Sequence, residues 1–480
     1  MDFDVVIIGC GVAGADCAYE LAKYDLRLCV LEASNDVANG TTKANSAIVH
    51  GGYDPLPGTK MARLNVRGTA MMGELCRKLD VPYRNNGSLV LSLAEEDDET
   101  LRTLYAQGLA NGVPGLELLD RERTLALEPN LSPAVRGALF APSAGIVNPW
   151  ELCLALAETA VRNGAELRLS APVTAIRRTA GGFCLSTPKG EVTARYVVNC
   201  AGTFSDRIAA MVGDRSFAIR PTKGEYFLLD KSEGTRVDHV IFQCPTPAGK
   251  GVLVTPTVHG NLLVGPNAVP TGPDDTANTP AGMDYVRASA LRAVPGISFR
   301  DNIRNFAGVR ANSDRDDFIL TESAAAPGFF HAAGIKSPGL SAAPAIGPEL
   351  LDLLEGAGLK LKKKENYIDS RRRVRFHELS DEEKNALIRE DPRWGRVICR
   401  CETVTEGEIV ACLHSPIPPV SVNGVKRRVG AGMGRCQGGF CGPRVQEIIA
   451  RELGMDQTEV LMDWEGTWVL CGETKGGSAL

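Results

Sequence analysis

Four cysteines near the C-terminus constrain this chain more than any other feature. They are Cys399 and Cys401 in Cys-Arg-Cys, then Cys436 and Cys441 in Cys-Gln-Gly-Gly-Phe-Cys, with 34 residues between the pairs. Two tight pairs flanking one small subdomain make a four-thiolate cage. In a chain without a secretory leader, such a cage holds iron–sulfur or zinc rather than disulfides.

Composition enters where it limits the alternatives. Net charge is −5 over 480 residues, so no nucleic-acid-binding surface is expected. No apolar run approaches the roughly 20 residues that span a bilayer, so membrane association is expected to be peripheral at most. A strand, Val5–Ile8, starts almost at Met1 and leaves no room for a signal peptide. The expected location is therefore the cytoplasm, or its membrane face by way of a partner. Of the fourteen cysteines, Cys17, Cys29, Cys76, Cys153, Cys184, Cys200 and Cys244 are scattered singly and read as small core residues.

The N-terminus reads β-α-β. Gly9-Cys10-Gly11-Val12-Ala13-Gly14 separates the first strand from a helix over 15–23, and a second strand, Leu26–Leu31, ends at Glu32. The first glycine permits the tight turn, the second lets a pyrophosphate approach the backbone, and the third lets helix and strand pack. The helix N-terminus stabilises phosphate charge, and Glu32 is placed to accept from ribose hydroxyls. NAD and FAD both fit that unit. Two further small-residue turns after strands, Asn199-Cys200-Ala201-Gly202 and Ala333-Gly334-Ile335, favour FAD.

Elsewhere the pattern predicts helices near 59–79, 95–111, 149–163 and 345–354, and a strand-rich stretch from Arg220 to Ala311. The fold class expected is α/β. A Rossmann-type FAD domain (within 1–355, mainly 1–80, 148–215 and 320–355) is interleaved with an α+β substrate domain (mainly 81–147 and 216–319). Residues 356–395 read as a basic linker or surface strap followed by a helix over 381–390. Residues 396–455 are the small cysteine module, and 456–480 a tail.

At this point the chain resembles the D-amino-acid-oxidase-like FAD family, in its glycerol-3-phosphate dehydrogenase and L-2-hydroxyglutarate oxidase branch. The matching segments are Gly40–Gly52 (GTTKANSAIVHGG), Asn148–Glu151, Val197–Asp206 (VVNCAGTFSD), Gly308–Asn312 (GVRAN) and Gly334–Gly347 (GIKSPGLSAAPAIG). The cysteine module resembles the bacterioferritin-associated-ferredoxin-like [2Fe–2S] domain. The resemblance implies FAD contacts at Gly9, Gly11, Gly14, Glu32, Thr41, Thr42, Asn45, Ser46, Val173, Ala201, Gly202, Gly334 and Gly339. It also implies a clamp on an anionic substrate by Arg310, and Lys336 beside the flavin.

The implied chemistry is oxidation of a secondary alcohol by hydride transfer to FAD, with sn-glycerol 3-phosphate as the expected substrate. A 2-hydroxy acid or amino acid is the alternative, and an electron-transfer or regulatory subunit is the reading from another class. Arginine suits the clamp because its planar fork meets a carboxylate or phosphate bidentately. His50 is the expected base, since imidazole titrates near neutrality. His331 reads as a core residue, and His259 as a turn residue able to line the site. The glycerol-3-phosphate branch carries an arginine shortly after His-Gly-Gly. Here Tyr53-Asp54 follows His50-Gly51-Gly52, and Arg315 is the expected substitute.

Zinc modules more often use Cys-x2-Cys pairs. The Cys-x-Cys and Cys-x4-Cys spacing, with a flavin upstream, favours [2Fe–2S]. Six glycines around the second pair allow backbone N–H groups to approach sulfur. Two electrons held by a flavin and a one-electron cluster together imply an acceptor: a redox partner subunit, or a quinone or other electron carrier. Homo- and hetero-oligomers both remain open.

Overall fold

The computed structural model describes residues 1–245 and 251–472. The end of the expected tail, 473–480, lies outside them. The chain forms two compact units, Met1–Ala33 with Val37–Arg371, and Ser34–Asp36 with Arg372–Leu480.

Val5, Val6, Ile7 and Ile8 are buried on both faces of their strand, as a central parallel strand requires. That strand, Phe3–Ile8, pairs in parallel with Leu28–Leu31 on one side and with Gly190–Asn199 on the other. Glu166–Arg168 and Phe329–Ala333 extend the parallel core outward. The chain leaves the first strand toward one side and returns much later on the other. That reversal is a topological switch point, where open α/β sheets bind ligands at the carboxyl ends of their strands.

The register brings those ends level. Ile8 pairs with Leu31 and Asn199, and Asn199 with His331. The glycine turn, Glu32, the Cys200–Gly202 turn and the Gly334 turn therefore leave one edge of one sheet.

A second, nine-stranded sheet draws Ser88–Ser92, Glu117–Asp120 and Gly137–Ala141 from one stretch of chain. The rest come from another, including Thr222–Leu229 and Asn302–Arg310. Its core gathers Leu89, Leu91, Phe227, Ile241, Val254 and Val286. Thr222–Leu229 and Asn302–Arg310 run antiparallel with Thr222 opposite Arg310, so Arg310 closes its strand at the end of the ladder.

The helix expected over 345–354 starts earlier and runs Gly339–Gly356 with Pro344 and Pro348 inside it. Each proline removes a backbone donor. The helix persists because Ala342, Ala343, Ala345 and Ile346 are fully buried. The Gly347 N–H also donates to Asp16 Oδ2 of the Val12–Leu21 helix at 2.7 Å.

The basic stretch after Gly356 is stitched onto the first unit. Tyr24 bridges Lys363. Tyr19 Oη donates to Asp369 Oδ1 at 2.6 Å, and Arg371 Nε to Glu158 Oε2 at 2.6 Å. Arg371, Glu158 and Glu151 are all buried, so this charge is not a solvated one. Lys360, by contrast, is exposed.

In the second unit, the Glu406–Leu413 helix starts from a Thr405–Glu408 capping box, and the Gly442–Leu453 helix starts with Pro443 in its first turn. They enclose a core of Ile409, Leu413, Val425, Val445 and Ile449. Cys412 is a buried thiol donating to the Ile409 carbonyl. Among the described residues, no helix is long and apolar enough to cross a membrane.

Removing one member of a buried ion pair typically costs about 3–5 kcal/mol. Arg371→Met, which removes the 2.6 Å partner of buried Glu158, should lower the melting temperature of the first unit by roughly 5 °C or more in scanning calorimetry. Lys360→Met should leave it within experimental error.

Candidate functional site

Gly9 has φ +96°, and a Cβ there would stand 2.7 Å from the Cys200 carbonyl oxygen. A Cβ on Gly14 would stand 2.0 Å from the Gly9 carbonyl oxygen. Both glycines are therefore demanded by backbone packing. A Cβ on Gly11 would meet only Thr42 Oγ1, at 3.3 Å. The Val12 N–H, at the start of the helix, donates to Thr42 Oγ1 at 3.0 Å. Glu32 Oε2 accepts from the Cys10 N–H at 2.6 Å, which holds the carboxylate beside the turn. A glycine cradle, a helix N-terminus and a carboxylate at the next strand end fit the pyrophosphate and ribose of FAD. Val173 is buried with Ile8 and Leu31 in one cluster, next to the segment where the Ala171 N–H donates to the Glu32 carbonyl.

The loop over 41–46 is fixed from two sides. Thr41 Oγ1 donates to the Val309 carbonyl at 2.6 Å. Asn45 Nδ2 donates to the carbonyls of Thr41 and Thr42, and Ser46 Oγ lies 3.1 Å from Tyr226 Oη. Tyr226 in turn stacks on Phe306 at 4.7 Å. A Cβ on Gly308 would fall 1.8 Å from the Ala44 carbonyl oxygen, so this glycine lets the loop meet the strand that ends in Arg310.

Arg310 is half-buried. Its Nη2 donates to the Asn267 carbonyl at 3.2 Å and would stand 2.6 Å from a Cβ on Gly224. Gly224 is thus the floor beneath the guanidinium. Sequence reasoning missed it and Tyr226. Gly224 and Tyr226 sit two residues apart on one strand, on the same face, a spacing every strand shares and that marks neither residue.

His50 is held at every handle. Its N–H donates to Ser341 Oγ at 2.7 Å. Its carbonyl accepts from Asn65 Nδ2 and Thr69 Oγ1, each at 2.7 Å. Its ring packs on Phe242 at 5.6 Å, and Nε2 lies 3.3 Å from Ser337 Oγ. A small cleft lies between His50, Tyr53, Asp54, Asn65 and Pro338.

Lys336, half-buried, and Ser337 belong to the turn from Gly334 (φ +64°) to Gly339. The Gly339 N–H donates to the Lys336 carbonyl at 2.6 Å, and the Gly339–Gly356 helix opens with no side-chain cap. His50 and the Lys336–Ser337 turn are therefore adjacent. Ala201 and Gly202 occupy the turn against Gly9, where the Ala201 N–H donates to Asn199 Oδ1.

Arg315 is exposed and donates to the Ser216 carbonyl. His259 is exposed, 3.1 Å from Asn148 Nδ2. His331 is buried against Asp214 at 3.1 Å, and burial lowers its pKa.

The four thiols form two pairs. Cys401 and Cys436 lie 3.9 Å apart; sulfurs sharing a tetrahedral metal with bonds of about 2.3 Å stand roughly 3.8 Å apart. Cys399 and Cys441 are the second pair. The Cys441 thiol, with backbone N–H groups of Gly432, Glu402 and Cys401, lowers Cys399 to about 6. The N–H groups of Phe440, Gly438 and Gly439, together with the Cys401 thiol, lower Cys436. A Cβ on Gly434 would fall 2.2 Å from Cys401 Cβ, so that glycine lets the two cysteine loops meet. Two thiol pairs, with N–H donors aimed at sulfur, fit a two-iron cluster.

A family model described as FAD dependent oxidoreductase matches residues 4–353. One described as BFD-like [2Fe-2S] binding domain matches 397–451. A glycerol 3-phosphate dehydrogenase from Caloramator mitchellensis is 50% identical over 475 residues, 98% of this chain and 99% of that one. A glycerol 3-phosphate oxidase from Mycoplasma genitalium is 31% identical over 375 residues, 76% of this chain and 97% of that one. Among solved structures, dithionite-reduced L-α-glycerophosphate oxidase from Mycoplasma pneumoniae with FAD bound aligns with a TM-score of 0.73 at 29% identity. It covers 77% of this chain and 98% of that chain. The first match spans most of the chain and takes in all four level strand ends. The chain therefore belongs to the FAD-dependent oxidoreductase family and carries a BFD-like [2Fe–2S]-binding domain as its C-terminal module.

Proposed function

We propose that this protein oxidises sn-glycerol 3-phosphate to dihydroxyacetone phosphate and passes the electrons through its cluster to an external acceptor. The observation that carries the reading is end-to-end likeness to a glycerol 3-phosphate dehydrogenase. The oxidases are matched almost along their whole length by three quarters of this chain. The glycerol 3-phosphate dehydrogenase matches the remaining quarter as well.

Bound FAD supplies the two-electron acceptor. The chain's own residues bind, orient and move the proton. Arg310, floored by Gly224 and aimed by the Asn267 carbonyl, presents its fork to the substrate's anionic group. His50 accepts the hydroxyl proton, and Ser337 beside Nε2 holds the ring. Lys336, on the turn next to His50, contributes positive charge. A second reading, a 2-hydroxy acid, is favoured by Tyr53-Asp54 after His50-Gly51-Gly52 and by Arg315 being engaged with Ser216. A carboxylate needs fewer cations than a phosphate.

Anaerobic bleaching of the bound flavin separates the two. Glycerol 3-phosphate should bleach it and L-2-hydroxyglutarate should not; the reverse pattern would replace the first reading with the second. Charge-assisted hydrogen bonds are each worth about 1.5–3 kcal/mol. Arg310→Ala should therefore lower kcat/KM for bleaching about 100-fold while FAD stays bound. Native bleaching by that variant would remove the clamp from Arg310.

Gly434→Ala should cut the iron and acid-labile sulfide of the purified protein by more than half, because the added methyl displaces Cys401. Bleaching by substrate should persist in that variant, with delivery to an external acceptor lost.

A further inference from the structure

We infer that the surface around Cys401, Cys436 and Phe440 is a docking site for an acidic one-electron carrier protein. This rests on the proposed exit of electrons through the cluster. The two thiol pairs differ in exposure. Cys399 and Cys441 are buried, Cys436 is half-buried and Cys401 is exposed. One end of the cage therefore faces inward and the other reaches the surface of the second unit.

Phe440 stands at the outer end. At 87% exposure it is the most exposed large apolar side chain among the described residues. Its backbone N–H is directed at the Cys436 sulfur, so the residue stands beside the cage. An exposed aromatic ring next to a redox centre is what a small interface uses as its anchor.

Charge fixes the class of occupant. Arg400, Arg435 and Arg444 are exposed, on the residues flanking Cys401 and Cys436 and just beyond Cys441. The nearby carboxylates are Glu402, which is half-buried, and Glu447, which pairs with Arg444 at 2.8 Å. Among the charged side chains from Arg396 to Arg444, those classed as exposed are Arg396, Arg400, Arg435 and Arg444, all basic, while Arg427 and Arg428 are committed to Asp36 and Asp463. Redox complexes bury small areas and depend on such complementarity for encounter. Each docking passes one electron. Oxidation of one substrate molecule removes two electrons and two protons, so two carriers are reduced and two protons go to solvent.

The test uses the full-length protein loaded with FAD and cluster, and a small acidic [2Fe–2S] ferredoxin as probe. Binding of the oxidised proteins is measured by surface plasmon resonance, with cytochrome c as a basic comparator. Ferredoxin should bind at low salt and be released when salt shortens the Debye length to about 3 Å. Phe440→Ser and Arg400→Glu should each weaken Kd about tenfold, with the cluster's visible absorption unchanged. If either variant loses its cluster, Arg444→Glu, outside the cysteine loops, takes its place.

An unchanged Kd in these variants overturns the proposal. So does salt-sensitive binding of cytochrome c in place of ferredoxin. A concentration-dependent dimer that Phe440→Ser abolishes would also overturn it, assigning the patch to a second copy of this chain. Ferredoxin reduction that survives Cys436→Ser would sink the exit reading instead, and leaves the Kd measurements to judge the surface.

Discussion

The chemistry of the first unit depends on one close approach, that of the Gly9 turn to the Cys200 carbonyl. No side chain at Gly9 would fit there. The approach exists because Phe3–Ile8 and Gly190–Asn199, far apart in the chain, pair in parallel and end level. Had the register slipped by one residue, Asn199 would face the wrong side of the sheet, and its side chain would no longer hold the Ala201 N–H. Glu32 and the Gly334 turn arrive at the same edge by the same register. A helix N-terminus, a carboxylate and two small-residue turns thus need no separate positioning; the ladder hydrogen bonds supply it.

The rear of the site is built differently. Arg310, Tyr226 and Gly224 come from two antiparallel strands of the second sheet, and the loop over 41–46 is locked between them and the first sheet. Thr41 and Ser46 each commit a hydroxyl to the second sheet, while Thr42 commits its own to the helix N-terminus. Three polar contacts on one short loop couple the two sheets. A displacement of either one is therefore felt at both the Gly9 turn and Arg310.

What can be read from the sequence divides along the same line. Elements set by local rules are legible. Thr59 caps a helix that begins at Lys60, and Asn148 caps the one that begins at Pro149. The Thr405–Glu408 capping box marks the helix start in the cysteine module. The Gly339–Gly356 helix is longer than its local pattern predicts, because Pro344 and Pro348 oppose helix locally. Burial against its neighbours and the Asp16 carboxyl offset that loss. Gly224 is invisible for a related reason. Its requirement comes from the guanidinium of a residue far along the chain, and nothing within its own strand announces it. The expectation for Arg315 rests on charge alone, and its donation to Ser216 shows that a cation's neighbours decide whether it is available.

The second unit carries a constraint of another kind. Thiolates near one another repel, and burial disfavours their charge. The cage offsets that penalty with backbone N–H groups: Gly432, Glu402 and Cys401 toward Cys399, and Phe440, Gly438 and Gly439 toward Cys436. Donors on the main chain can converge only where the chain turns tightly, and Gly432 and Gly438 both take positive φ. The glycines therefore serve two ends at once. They let the cysteine loops meet, as Gly434 does at Cys401, and they aim the donors that make charged sulfur tolerable at the edge of a packed core. A loop built under both demands keeps its backbone turned toward the sulfurs, and Phe440, between two cysteines, is left with its side chain outward.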